Sequence, residues 1–111
     1  MVKLPNPWEA VVDIRKLRGY CLSPHHPRGR HKARVFVSAL GLIAEDAEGL
    51  REALLSAALS KEAIATESDQ YGERYMLDFE MKTDVGTATV RSAWIVRREE
   101  EFPRLTSCWI L

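Results

Sequence analysis

The spacing of apolar residues changes halfway along the chain, from a period of about 3.6 to a period of two. The first pattern is typical of amphipathic helices and the second of half-buried strands. The first pattern predicts three helices, at about residues 13–22, from 31 or 32 to 41, and 46–59. The second pattern predicts four strands, at about residues 63–66, 74–82, 87–97 and 104–110.

Residues at the ends of these segments support the predicted boundaries. Asp13 is a good N-cap for the first helix, which Pro24 ends, and Gly41 is a typical stop for the second. On the second helix, one buried face should hold Ala33, Phe36, Val37 and Leu40. On the third strand, one face should carry Val90, Trp94 and Val96, and the other Arg91, Ile95 and Arg97.

Helices followed by closely linked strands predict an α+β fold. We expect the three helices to cover one face of a four-stranded antiparallel sheet. The 111 residues suffice for one core, so the chain should be a single domain, 1–111.

The composition indicates where in the cell the protein is expected and which kinds of protein and site are not expected. The chain has no apolar run near the roughly 20 residues that a membrane helix needs, and no apolar signal core at its start. Its two cysteines, Cys21 and Cys108, are far apart and form no CxxC pair, so neither a zinc site nor a disulfide framework is indicated. A cytoplasmic bacterial protein without membrane association is therefore expected.

Charge is distributed unevenly although the formal net charge is zero. Between Asp13 and Glu45 there is no acidic residue, but there are seven cationic ones. They are Arg15, Lys16, Arg18, Arg28, Arg30, Lys32 and Arg34. Such a basic segment indicates either a surface for phosphate or an acidic partner, or a solvated helix and loop.

The segment 23–34, SPHHPRGRHKAR, holds all three histidines. An imidazole can exchange a proton near neutral pH, and lysine or arginine can bind a phosphate. RNA cleavage by its own 2′-hydroxyl needs these parts and no metal. His26 and Lys32 are therefore candidates for general acid–base and phosphate-binding roles.

Other chemistries fit the sequence less well. The HHxxxxH spacing lacks a nearby carboxylate or thiolate, and adjacent arginines would repel a metal ion, so no metal or cofactor is expected. Asp78, Glu80 and Lys82 resemble a metal-dependent nuclease pattern, but they alternate along a strand as any solvated face does.

Several segments together resemble a family of small uncharacterised bacterial domains. They are LPN, DIRKLRGYCLSPHHPRGRHKARVF, LG at 40–41, YGERY, RSAWIV and PRLTS. The resemblance covers nearly the whole chain and is most specific in the pattern KL…Y…SPxHPxGxxKA. Members of this family occur beside small partner proteins, as in toxin–antitoxin pairs, and at the C-termini of polymorphic-toxin and phage-head proteins.

The resemblance implies a fold similar to the barnase–RelE group of metal-independent ribonucleases. It also selects polar positions. The implied catalytic residues are His26, Lys32 and Thr106. The candidate RNA-binding residues are Arg28 and Arg30, beside the histidines in the loop, and Arg74 and Arg91, which lie on the predicted sheet where such ribonucleases place phosphate-binding groups. Pro27, Gly29 and Trp94 are candidates for structural support. Tyr71 is a further matched position, whereas His25 and His31 lie outside the pattern.

The leading hypothesis is a small toxin-type ribonuclease that works without a metal. The alternative is a non-enzymatic module whose basic face docks an acidic antitoxin-like or immunity protein. A homodimer formed through an exposed strand edge is a third hypothesis.

Overall fold

The computed structural model describes residues 2–111. Helix α1 (Ile14–Lys16) continues directly as a π-helical turn, Leu17–Cys21, and is followed by α2 (Arg30–Leu40) and α3 (Ala47–Ser60). Strands β1 (Ile64–Ser68), β2 (Gly72–Lys82), β3 (Thr87–Arg97) and β4 (Arg104–Ile110) complete the fold. Short 3-10 turns cover Pro7–Glu9 and Ala44–Asp46.

The four strands form one antiparallel sheet in the order β1-β2-β3-β4, each paired with its neighbour in sequence. The long β2–β3 hairpin pairs Gly72 with Arg97 at one end and Lys82 with Thr87 at the other. Three helices packed with this meander confirm the predicted α+β fold.

The core lies between the helices and one face of the sheet. The helices contribute their apolar faces, and the sheet contributes inward-facing residues of β2, β3 and β4. Buried residues from the helices include Leu17, Cys21, Ala33, Phe36, Leu40, Leu50, Leu54 and Ala57; those from the sheet include Leu77, Phe79, Val90, Trp94, Leu105 and Cys108.

Two predicted orientations were wrong. Val37, expected in the core, is 47% exposed, because Ala33, Phe36 and Leu40 already fill the buried side of α2. Ile95, expected on the solvent side of β3, is only 7% exposed. The N-terminal segment, hydrogen-bonded at Val11 to Leu105 and Pro103, runs beside the start of β4, and Val11 and Ile95 line the same small cavity there.

Strand β4 contains a β-bulge. Ala93 pairs with Ser107, but the next residue, Trp94, pairs with Leu105, so Thr106 is the extra residue. A bulge re-aims side chains locally, and here it lets both Leu105 and Cys108 reach the core while Thr106 stays half-buried.

No helix within residues 2–111 is long and apolar enough to cross a membrane.

Two buried polar groups under the helices, the carbonyl of Leu77 and the indole N–H of Trp94, are paired through Ser92. Its hydroxyl donates to the carbonyl of Leu77 at 2.7 Å and accepts from the indole Nε1 of Trp94 at 2.8 Å. Ser92 is fully buried and Trp94 is 1% exposed, so water cannot replace either bond.

Replacing Ser92 with alanine should therefore lower the free energy of unfolding by about 1–3 kcal/mol, because it leaves a buried indole N–H without an acceptor. Urea denaturation of S92A measures the loss. S60A is the matched control, since the Ser60 hydroxyl makes an exposed bond to the carbonyl of Ser56; its stability should change by less than about 0.5 kcal/mol. Equal effects of the two substitutions on stability would contradict the role assigned to the Ser92 hydroxyl.

Candidate functional site

An open cavity of about 630 Å³ lies between the first helical segment, the histidine loop and β4. Most of its lining residues are polar or charged, and they come from three parts of the chain: Asp13, Arg15, Lys16, Gly19 and Tyr20 from the first segment, His26 and Arg28 from the loop, and Thr106 from β4. We call it the basic cavity. It brings together three of the predicted site residues, His26, Arg28 and Thr106.

His26 is fixed by the backbone that follows it. Its Nδ1 accepts from the backbone N–H of Arg28 at 3.0 Å and of Gly29 at 3.2 Å, and its carbonyl accepts from the N–H of Arg30 at 2.9 Å. The ring also stands edge-on to Tyr20, with centroids 4.7 Å apart and planes at 81°. These contacts satisfy N–H groups that would otherwise be free where α2 begins.

These hydrogen bonds determine which ring nitrogen carries a proton. Because Nδ1 accepts two N–H groups, it must be unprotonated, and the neutral ring then carries its proton on Nε2. In this arrangement His26 can donate a hydrogen bond through Nε2. Nε2 can accept a proton only in the other tautomer, in which Nδ1 carries the proton and no longer accepts hydrogen bonds from Arg28 and Gly29.

Gly29 is in close contact with the end of the first helical segment. A Cβ atom at Gly29 would lie 2.3 Å from the carbonyl oxygen of Tyr20, a distance that no side chain can tolerate. Only glycine therefore lets the loop lie against Tyr20 and carry His26 into the cavity.

The first segment supplies cations and one carboxylate. Asp13 caps α1 by accepting from the N–H of Arg15 at 2.9 Å, and it binds the Arg15 guanidinium at 3.1 and 2.8 Å. The Arg15 side-chain and backbone hydrogen bonds lower the pKa of Asp13 to about 2, so it is ionised at neutral pH and its charge is balanced by Arg15. Lys16 and Arg28 make no ion pair within residues 2–111 and leave the cavity with a positive charge.

Thr106 reaches the cavity because of the β4 bulge. Its Oγ1 donates to the carbonyl of Ala93 at 3.1 Å, so the hydroxyl proton is engaged and the oxygen lone pairs remain available as acceptors.

The other cations of the loop and α2 lie outside this cavity. The Lys32 ammonium sits 4.4 Å from the centroid of the Trp109 ring, a cation–π contact. Arg30 and Arg34 instead border a separate, largely apolar groove along α2 that contains Val37 and Ile43.

The two predicted arginines of the sheet are paired elsewhere. Arg74 binds Asp69 at 2.9 Å, and Arg91 binds Asp78 through two hydrogen bonds of 2.8 Å on the outer face. Neither lines the basic cavity. The remaining support residues differ in setting: Pro27 is exposed in the loop, and Trp94 is in the core.

Sequence reasoning did not place Asp13, Arg15, Lys16 or Tyr20 at this site. It treated Asp13 as a helix cap and Arg15 and Lys16 as members of the basic segment, and it assigned no role to Tyr20. The seven-cation window was the available signal, because it already included Arg15 and Lys16.

It also did not anticipate that Cys21 and Cys108 would be neighbours. Both are fully buried, and the neighbouring Cys21 thiol, together with burial, raises the pKa of Cys108. In the described part of the chain, no group of three or more His, Cys, Asp or Glu side chains could hold a metal ion.

Fold and site together define a small α+β domain with an open basic cavity between its helices and its last strand. The sequence matches the model of a family described as a domain of unknown function (DUF6883) over residues 3–111, and the chain belongs to this family. Comparison with curated proteins finds no match.

Substituting Gly29 with alanine should displace the histidine loop, because the new Cβ would overlap the Tyr20 carbonyl. We expect a loss of about 1–3 kcal/mol in the free energy of unfolding and changed NMR shifts for the His26 ring. The control is G19A, since a Cβ at Gly19 meets no atom within 4 Å although Gly19 also lines the cavity. A G29A protein with native stability and native His26 shifts would refute this packing role.

Proposed function

We propose that this protein binds RNA through its phosphate groups, using the basic cavity. The observation that carries the proposal is the convergence of Lys16, Arg28 and the His26 ring on one open, solvent-accessible cavity. Unpaired cations and an N–H donor are the groups that bind phosphate oxygens. Asp13 does not oppose this, because Arg15 neutralises it at short range.

The cavity favours a phosphate chain over an isolated anion. It is open on one side, so a linear polyanion can enter and leave it without threading. Arg30 and Arg34 lie in no ion pair within residues 2–111 and add to the positive field of the same region. The cytoplasm, where RNA is abundant, is the compartment in which such a domain would act.

Metal-independent RNA cleavage by a toxin-type domain is the second candidate. It is favoured by the presence of His26 and Thr106 beside the cations, since a proton-transferring group next to a bound phosphate is what this chemistry needs. In this structure, proton transfer by His26 carries an energetic cost. For His26 to act as a base, its Nδ1 must gain a proton and lose the N–H groups of Arg28 and Gly29.

RNA binding can be tested with a short fluorescent single-stranded oligoribonucleotide followed by anisotropy at several salt concentrations. K16A and R28A should each weaken binding and reduce the slope of log affinity against log salt by about 0.7, the value for one lost phosphate contact on a single strand. K82A is the control, since Lys82 is an exposed cation that does not line the basic cavity.

Loss of affinity in K16A and R28A but not in K82A supports the proposal. Wild-type protein that does not bind RNA, or an equal loss in all three variants, overturns it. If wild-type protein does not bind RNA but binds an acidic polypeptide through Lys16 and Arg28, the result would point instead to the docking of an acidic partner protein.

Two substitutions can separate the structural role of His26 Nδ1 from the phosphate-binding role of His26 Nε2. In H26N the amide oxygen can replace Nδ1 as the acceptor for Arg28 and Gly29, but nothing replaces Nε2. In H26Q the amide nitrogen can replace Nε2, but the acceptor at Nδ1 is lost. Phosphate binding by Nε2–H predicts weaker RNA binding in H26N with nearly unchanged stability, and lower stability, by about 1–3 kcal/mol, in H26Q.

Cleavage assays on the same variants decide between the two candidates. If His26 transfers protons, wild-type protein cuts RNA in the presence of a metal chelator and both variants stop cutting while still binding. Intact RNA after incubation with wild-type protein removes the ribonuclease candidate and leaves RNA binding standing.

A further inference from the structure

A second, smaller cavity adjoins the basic cavity. It has a volume of about 120 Å³ and lies where the N-terminal segment meets the ends of β3 and β4. Three of its lining residues, Asp13, Lys16 and Thr106, also line the basic cavity. The two cavities are therefore neighbouring compartments with a common wall.

The second compartment has its own unpaired cation. Arg97 is exposed and makes no ion pair within residues 2–111. The other arginine there, Arg104, is bound to Glu100 by two hydrogen bonds of 2.8 Å and is balanced by it. Unpaired cations are thus arranged as Arg28 in the first compartment, Arg97 in the second, and Lys16 at the wall.

This arrangement suits two consecutive phosphates of one strand better than a single phosphate. A lone phosphate would occupy one compartment and leave the cation of the other without a partner. A strand that crosses the wall would use all three cations and would place one sugar at the wall itself.

The wall offers a particular kind of hydrogen-bonding group. The hydroxyl of Thr106 already donates a hydrogen bond to the carbonyl of Ala93, so toward a ligand its oxygen can act only as an acceptor. Asp13, the other acceptor at the wall, already accepts three hydrogen bonds from Arg15. A ribose at this place carries a 2′-hydroxyl that can donate, whereas a deoxyribose carries none.

We propose that the two compartments bind consecutive phosphates of a single RNA strand, and that Thr106 accepts a hydrogen bond from the 2′-hydroxyl of the ribose between them. The inference rests on the proposed phosphate binding in the basic cavity and adds to it the direction of the strand's path, toward Arg97. It makes Thr106 the residue that distinguishes RNA from DNA.

The test compares two fluorescent oligonucleotides of the same sequence, one of RNA and one of DNA, by anisotropy. Wild-type protein should bind the RNA more tightly, by about fivefold, the worth of one hydrogen bond of roughly 1 kcal/mol. T106V should bind both with the affinity that the wild type has for DNA. T106S, which keeps the hydroxyl, should retain the preference for RNA and serves if T106V fails to fold.

Arg97 is tested against its neighbour in sequence. R97Q should weaken binding of RNA and DNA equally, with a lower salt dependence. R98Q is the matched control, because the Arg98 guanidinium is bound to Glu73, Ser68 and the carbonyl of Asp69 and lines neither compartment. Its affinities should be those of the wild type.

Failure of this inference differs from failure of the proposed function. If K16A and R28A weaken RNA binding while R97Q and T106V bind like the wild type, the basic cavity binds phosphate but the two-compartment path is wrong. Equal affinity of the wild type for RNA and DNA also overturns the role of Thr106. If wild-type protein binds neither oligonucleotide, both proposals fail.

Discussion

The close approach of Gly29 to the Tyr20 carbonyl is the constraint on which the site depends. It lets the histidine loop lie against the end of the first helical segment with no side chain between them. That contact allows His26 Nδ1 to reach the N–H groups of Arg28 and Gly29. The same bonds start α2, so the loop is both a wall of the cavity and the beginning of a core helix.

The π-helical turn that follows α1 contributes to the same geometry. It is closed by a hydrogen bond from the N–H of Leu22 to the carbonyl of Leu17 at 2.8 Å, and its Leu17 and Cys21 side chains are buried in the core. Gly19 and Tyr20 then lie on the cavity side of the turn. A short segment can thus anchor itself in the core and also line an open site.

The distribution of ion pairs separates structural from available cations. Arg74 is held by Asp69 in the turn before β2, and Arg91 by Asp78 on the neighbouring strand, so binding a phosphate there would first require breaking an existing pair. Lys16, Arg28 and Arg97 have no such partner within residues 2–111 and need no rearrangement to meet an anion. The absence of an ion-pair partner within the described residues, rather than the count of basic residues, therefore distinguishes the cations of the candidate site.

Local pattern determined most of the fold. Helix and strand positions followed from residue spacing, and caps such as Asp13 and Gly41 set their limits, because these signals act over a few residues. The strand order also followed, since each strand is joined to the next by a short link. The histidine loop could be singled out as a candidate site from its histidines and its cationic side chains.

Contacts between distant segments were decided only by the tertiary structure. Thr106 lines the same cavity as His26 because of a bulge in β4, and no local pattern in the sequence marks that bulge. Cys21 and Cys108 became neighbours for the same reason, that packing of the helices on the sheet sets which distant residues touch. The sequence by itself determined which residue types were present and which elements carry them; the packing decided which cations stayed unpaired and which side chains share a cavity.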